Sequence, residues 1–162
     1  MHRHYTWRHA ALPLLALVTA LTVSRQASWG QTKQAAIPST LEGTWNVTVT
    51  PDPRMGPPFP ALVTFTSNGG LVVSDKLGPG VGQGAWAQSG DHTFNYTILK
   101  LSFDSKGQFV GTLKVRQAIT VNETFDALSG PSKVDFFDPA GKRTFSGPES
   151  IQGTRMRVEA IP

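Results

Sequence analysis

The stretch GTWNVTVTPDPRMGPPFP, residues 43–60, decides the fold. Its first part alternates, with Trp45, Val47 and Val49 on one side and Thr44, Asn46, Thr48 and Thr50 on the other. Period-two alternation rich in β-branched and aromatic residues marks a strand with one buried face. The second part, 51–60, carries five prolines in ten residues. Proline fixes φ and has no N–H to give a ladder, so the strand must yield there to a stiff connector.

The same alternation continues to the end of the chain. Strands are predicted at about 43–50, 60–67, 70–76, 83–89, 91–103, 108–121, 123–137 and 143–159. Between them stand Ser67–Gly70, Ser89–Asp91, Asp104–Gly107, Asn122-Glu123 and Asp138–Gly141, residues that tolerate turn dihedrals. No 3.6-residue stripe appears beyond residue 40. Sequential hairpins without helices imply an all-β, eight-stranded antiparallel up-and-down β-barrel, which closes to remove its edges. Parity puts Ala61, Val63 and Phe65 of strand two inside, with Leu113, Val115, Ile119 and Val121 of strand six. In strand five His92, Phe94, Tyr96 and Ile98 share a face, but Leu99, Leu101 and Phe103 follow on the other. A bulge near Ile98-Leu99, or burial on both faces, is expected to reconcile them.

The N-terminus reads differently. Arg3 and Arg8 precede an apolar run from Ala10 to Val23, and Ser28-Trp29-Gly30 offers a small-x-small cleavage site. This is the plan of a secretory signal peptide, residues 1–30, and it implies a secreted or periplasmic protein. Residues 31–40 form a flexible lead-in, and 41–162 a single barrel domain. Of 162 residues, 132 follow the signal, with 12 Lys+Arg against 11 Asp+Glu. That balance gives no footprint for nucleic acid. No stretch argues for stable membrane insertion. With no cysteine there are no disulfide staples, so stability rests on the core. One histidine, His92, survives removal of the signal, which excludes a multi-histidine metal site; no cofactor is expected.

Gly43-Thr44-Trp45 at the head of the first strand resembles the Gly-x-Trp of the calycin superfamily, the lipocalins and avidins. The resemblance implies that Trp45 closes one end of the barrel, with an arginine from the last strand across it. Strand eight returns to the start of strand one and carries Arg155 and Arg157; Arg157 is the expected partner, stacked on the indole. Gly43, Trp45 and Arg157 are thus the expected closure residues. A second Gly-x-Trp stands at Gly84–Trp86. The lipocalin cysteines and a biotin-site pattern are missing, so no ligand is carried over from the resemblance.

If Trp45 seals one end, the proline connector lies at the open end. The expected ligand wall is Val49, Phe59, Phe65, Trp86, Tyr96 and Gln117, all on inward parity or, for Phe59, turned in from the connector. Glu123, Asp126, Asp135 and Asp138 lie at or near turns and read as solvated. The sequons at Asn46, Asn95 and Asn122 matter only in a eukaryotic secretory route. The expected function is binding of a small apolar molecule in the lumen. The alternatives are a barrel isomerase or cyclase working by confinement, with Tyr96, Gln117 and His92 as its candidate catalytic residues, and a structural domain with a filled core.

Overall fold

Eight strands follow one another: β1 (Gly43–Pro51), β2 (Phe59–Phe65), β3 (Gly70–Asp75), β4 (Gly82–Gly90), β5 (Thr93–Phe103), β6 (Phe109–Val121), β7 (Ala127–Phe137) and β8 (Arg143–Arg155). Each pairs antiparallel with the next, and β8 closes on β1 to complete the barrel. These come from a computed structural model that describes residues 40–78 and 80–161. The expected signal peptide and residues 31–39 lie outside the described residues. The all-β up-and-down barrel read from the alternation is therefore the observed architecture.

Closing eight short strands demands tight curvature, and the sequence supplies it as glycines on inward parity. A Cβ on Gly84 would fall 1.9 Å from the Thr97 carbonyl oxygen, and one on Gly130 2.0 Å from that of Ala118. Gly111 meets the Phe137 carbonyl oxygen in the same way, at 2.0 Å. Where the sheet folds over itself the neighbouring backbone occupies the space of a side chain, so only glycine fits.

The inward residues form one core from Trp45 to Ile151. Strand five departs from expectation. Its buried face runs unbroken through Phe94, Tyr96, Ile98 and Lys100, and its register with β6 is regular from Thr93 to Ser102. There is no bulge at Ile98-Leu99, and the outer face is not buried: Leu99 and Leu101 are 51% and 53% exposed. The lumen accepts Lys100 because a carboxylate stands inside to meet it, so the apolar residues beside it face outward.

Antiparallel order sends the connectors alternately to the two ends. The end beneath the start of β1 is sealed. Trp45 is fully buried, and its Nε1 donates to the Leu41 carbonyl at 2.9 Å. The guanidinium over the indole, 4.4 Å from the ring centre, is that of Arg155 and not of the expected Arg157. Arg155 pairs directly with Trp45 across the β1–β8 ladder. It donates to the carbonyls of Thr40, Glu42 and Phe125, tying three segments together. Arg157 shares its parity but lies beyond the last rung, half exposed, and meets Asp126 at 3.2 Å. Gly43 explains the first letter of the motif. It adopts φ +112°, and a Cβ there would crowd Arg155 Nη1 at 3.0 Å.

Truncating Trp45 to Ala is expected to cost about 3–5 kcal/mol, as loss of a large buried aromatic does. Arg155→Ala should cost roughly 2–3 kcal/mol through its lost charge-assisted hydrogen bonds, and Arg157→Ala under about 1 kcal/mol, as for an exposed ion pair. Denaturant melts of the three variants check the order; a larger effect at Arg157 would reverse the assignment.

Candidate functional site

Above the seal the lumen changes character. Trp86, Tyr96, Gln117, Ser132 and Glu149 are successive register partners across β4 to β8, so they form one rung around the inner wall. Tyr96 Oη donates to Gln117 Oε1 at 2.6 Å, and both side chains are buried. Ser132 Oγ donates to Glu149 Oε1 at 3.1 Å. Nearer the open end Lys100 and Asp75 form an ion pair with both side chains over nine-tenths buried.

Of these, Tyr96, Gln117, Glu149, Asp75 and Lys100 line a cavity of about 50 Å³. Its walls are apolar, with Val49, Phe59, Ile98, Val115 and Ile151 among them, and Gln117, Glu149, Asp75 and Lys100 interrupt them. By volume it has room for about three or four water-sized groups. Burial raises the Glu149 carboxyl above the usual carboxylate value; the Ser132 hydrogen bond offsets part of this, and the charge of Asp75 adds to it. Burial likewise pushes the Tyr96 phenol up, and the Glu149 charge pushes the same way, so it is a neutral donor at physiological pH. The chemistry on offer is hydrogen bonding to a polar head, together with one carboxyl whose protonation responds to its surroundings.

Two connectors cover the cavity. Leu77, from the β3–β4 connector, lines it directly. The proline connector contributes Phe59 from the first position of β2 and is itself clamped. Pro53–Met55 makes one 3-10 turn capped by Asp52. Asp52 accepts from the Arg54 backbone N–H at 2.9 Å and from its guanidinium at 2.9 and 2.7 Å. Arg54 in turn lies 5.2 Å over the Phe145 ring of β8. Its prolines leave few donors unmet, and its charges fold back on themselves.

Val49, Phe59, Tyr96 and Gln117 thus meet at one cavity, as the parity expects. Phe65 and Trp86 do not line it. They pack edge to face at 6.0 Å nearer the seal, and Trp86 Nε1 donates to the Thr66 carbonyl at 3.0 Å, so both fill the core. His92 is apart from Tyr96 and Gln117. It sits in the turn before β5 with its ring 4.9 Å from that of Phe125, and its buried Nδ1 has no hydrogen-bond partner. The three candidate catalytic residues are therefore not brought together. Asp135 is not solvated: it is 2% exposed beneath Arg116 and Arg143. Sequence reasoning missed Asp75, Lys100, Ser132 and Glu149. Glu149 was within reach of parity, because it lies two residues from the inward Ile151.

No protein-family model matches the chain, and no curated protein matches it. Among solved structures it is similar to a redesigned β-barrel, at 20% identity and a TM-score of 0.45, over 76% of this chain and 99% of that one.

Lys100→Ala is expected to cost about 3–5 kcal/mol, because it leaves Asp75 charged and buried without a partner. The double change Lys100→Met with Asp75→Leu should be near neutral in the same melt. A double variant as unstable as the single one would make the pair a scaffold element. Asp52 gives a pH test. Arg54 holds its carboxyl at about 2, below the ordinary 3.8. A carboxyl lowered on folding contributes stability above its unfolded value and loses it as pH falls through the folded one. The connector should therefore loosen between 3.8 and about 2. Amide exchange at Arg54 and Met55 checks this, and exchange that keeps its ordinary pH trend across that window would remove the clamp.

Proposed function

We propose that the protein is an exported, calycin-like barrel that binds a small apolar molecule with a hydrogen-bonding head in the open half of its lumen. The observation that carries the reading is the polar rung inside the cavity. A barrel core kept only for stability gains nothing from Tyr96, Gln117, Glu149, Asp75 and Lys100, because buried polar groups at best break even with well-packed apolar ones. Their convergence on one cavity with apolar walls is the composition of a ligand site. The existing volume suits the head alone. Room for the apolar body requires Leu77 and Phe59 to move aside, and the glycines at 78 and 80 give the β3–β4 connector that freedom.

A second reading, a structural barrel with a filled core, draws on that same volume, since ligand cavities ordinarily reach roughly 300 Å³ or more. The enzymatic reading loses His92 but gains Glu149, a half-buried carboxyl with its pKa raised, in the same cavity as the neutral phenol of Tyr96.

Native mass spectrometry of protein purified from its producing cells, with anilinonaphthalene sulfonate as a displaceable probe, tests the proposal. A retained small molecule or saturable probe binding is expected, and Val115→Trp should abolish it by filling the cavity. Absence of both, with Val115→Trp lowering the melting temperature as overpacking of a filled interior does, would establish the filled core. Glu149→Gln that binds but no longer converts a bound molecule would favour the enzyme.

A further inference from the structure

The outer surface of the barrel is as asymmetric as its lumen. Six large apolar side chains stand exposed around the open end: Met55, Leu77, Val81, Phe103, Phe109 and Val110, each 38–50% exposed. They come from three different connectors and the strand ends beside them. Phe103 and Phe109 are register partners with rings 6.1 Å apart, edge to face. Leu99 and Leu101 extend the patch down the outside of β5. The connectors of the sealed end, 66–69, 91–92 and 122–126, present no exposed large apolar residue; the exposed Met156, Val158 and Ile161 belong to the segment that follows β8 and not to the hairpins.

Charge is divided along the same axis. Lys76, Lys106, Lys114, Lys133 and Lys142 lie on the open half, and among the described residues none of them is in an ion pair. The acids of that half are occupied. Asp104 accepts the backbone N–H groups of Lys106 and Gln108, and Asp138 those of Ala140 and Lys142. Asp52 is held by Arg54 and Asp135 by Arg116, while Asp75 and Glu149 face inward. The sealed end instead gathers Glu42, Asp91, Glu123 and Asp126.

From this juxtaposition we infer that the open end docks on an anionic lipid surface, the apolar side chains entering the interface and the lysines meeting the headgroups. Apolar groups on protruding tips, with cations behind them, suit a broad and deformable surface. The exposed apolar residues are spread over three separate connectors at the mouth and are not aligned along one element, which suits a broad lipid surface better than one acidic segment of protein. The contact is peripheral: the outer wall of β5 and β6 below the patch carries Thr97, Arg116 and Thr120, so the exposed Leu62 and Val72 of β2 and β3 are not continued into a band around the barrel. This inference stands independently of what the lumen holds.

Sedimentation of the purified protein with vesicles of phosphatidylcholine, and of phosphatidylcholine mixed with phosphatidylglycerol, tests it. Binding is expected to the mixed vesicles only, and to fall in high salt. Phe103→Ser with Phe109→Ser, and separately Lys106→Glu with Lys142→Glu, should each weaken it by about tenfold or more. Met156→Ser at the sealed end should leave it unchanged. All three sets alter exposed side chains, so their melts should match that of the parent and keep the comparison free of unfolding. Failure to bind either vesicle would overturn the inference, as would equal binding to both. Binding that survives both double changes would place the contact elsewhere on the chain. Preference for soluble polyglutamate over vesicles would reassign the surface to an acidic protein.

Discussion

The meeting of Trp45 and Arg155 is the constraint on which the barrel depends. A meander of eight strands has two free edges until its first and last strands pair, and each edge exposes a row of unmet backbone groups. Closure brings residues 45 and 155 onto the same rung, at opposite ends of the folded sequence. Arg155 adds charge-assisted bonds to carbonyls of the entering strand and of the β6–β7 connector, so the seal and the closure are one structure. A guanidinium suits this place because its planar fork can stack on the indole while its edge donates to several oxygens. Gly43 belongs to the same unit, since any side chain there would displace the fork.

From that fixed end the molecule grades along its axis. Next to the seal Phe65, Trp86 and Phe94 pack edge to face above the buried Trp45. One level up, the rung from Tyr96 to Glu149 brings in hydrogen-bonding groups, and above it stands the Lys100–Asp75 pair. Stability is concentrated where closure occurs and diluted where the connectors are longest. A fold arranged in this way can change its open end without loosening the ladder that holds it.

Alternation alone located every strand, because a closed barrel buries one face of all of them and the period of two survives throughout. The limits that shifted were those set by side-chain hydrogen bonding. β7 begins at Ala127 and not at 123 because the Asn122 side chain accepts from the backbone N–H groups of Asp126 and Ala127, holding a wide turn with Phe125 at φ 53°. The choice between Arg155 and Arg157 depended on register, which parity cannot fix. It is set by the β1–β8 ladder, which pairs Trp45 with Arg155 and ends there, and nothing in the alternation signals that register. The bulge expected near Ile98-Leu99 is absent for a different reason. Hydrophobicity ranks Leu99 and Leu101 above Lys100 for the interior, and only the pairing with Asp75, twenty-five residues away, reverses the ranking. The site was legible where its residues were aromatic or amide and hidden where they were charged. A buried charge can be justified only by its partner, and partners are a property of the fold.

The asymmetries inside and outside follow from the same geometry. Four connectors reach the open end and three the sealed end, so the open end has more chain than packing requires. Short turns at the sealed end are filled by Asn, Asp, Ser and Gly, which satisfy their own backbones and need nothing further. At the open end the acids serve the turns in the same manner, but lysines stand beside them without an ion-pair partner and apolar residues stay exposed. Exposed Leu99, Leu101 and Phe103 carry a cost in solubility that the hairpin chemistry does not require. Inside, Glu149 and Gln117 carry a cost in stability that closure does not require. Both surpluses lie at the end away from the Trp45 seal. On the proposed reading, what accumulates opposite the seal serves what the protein meets there.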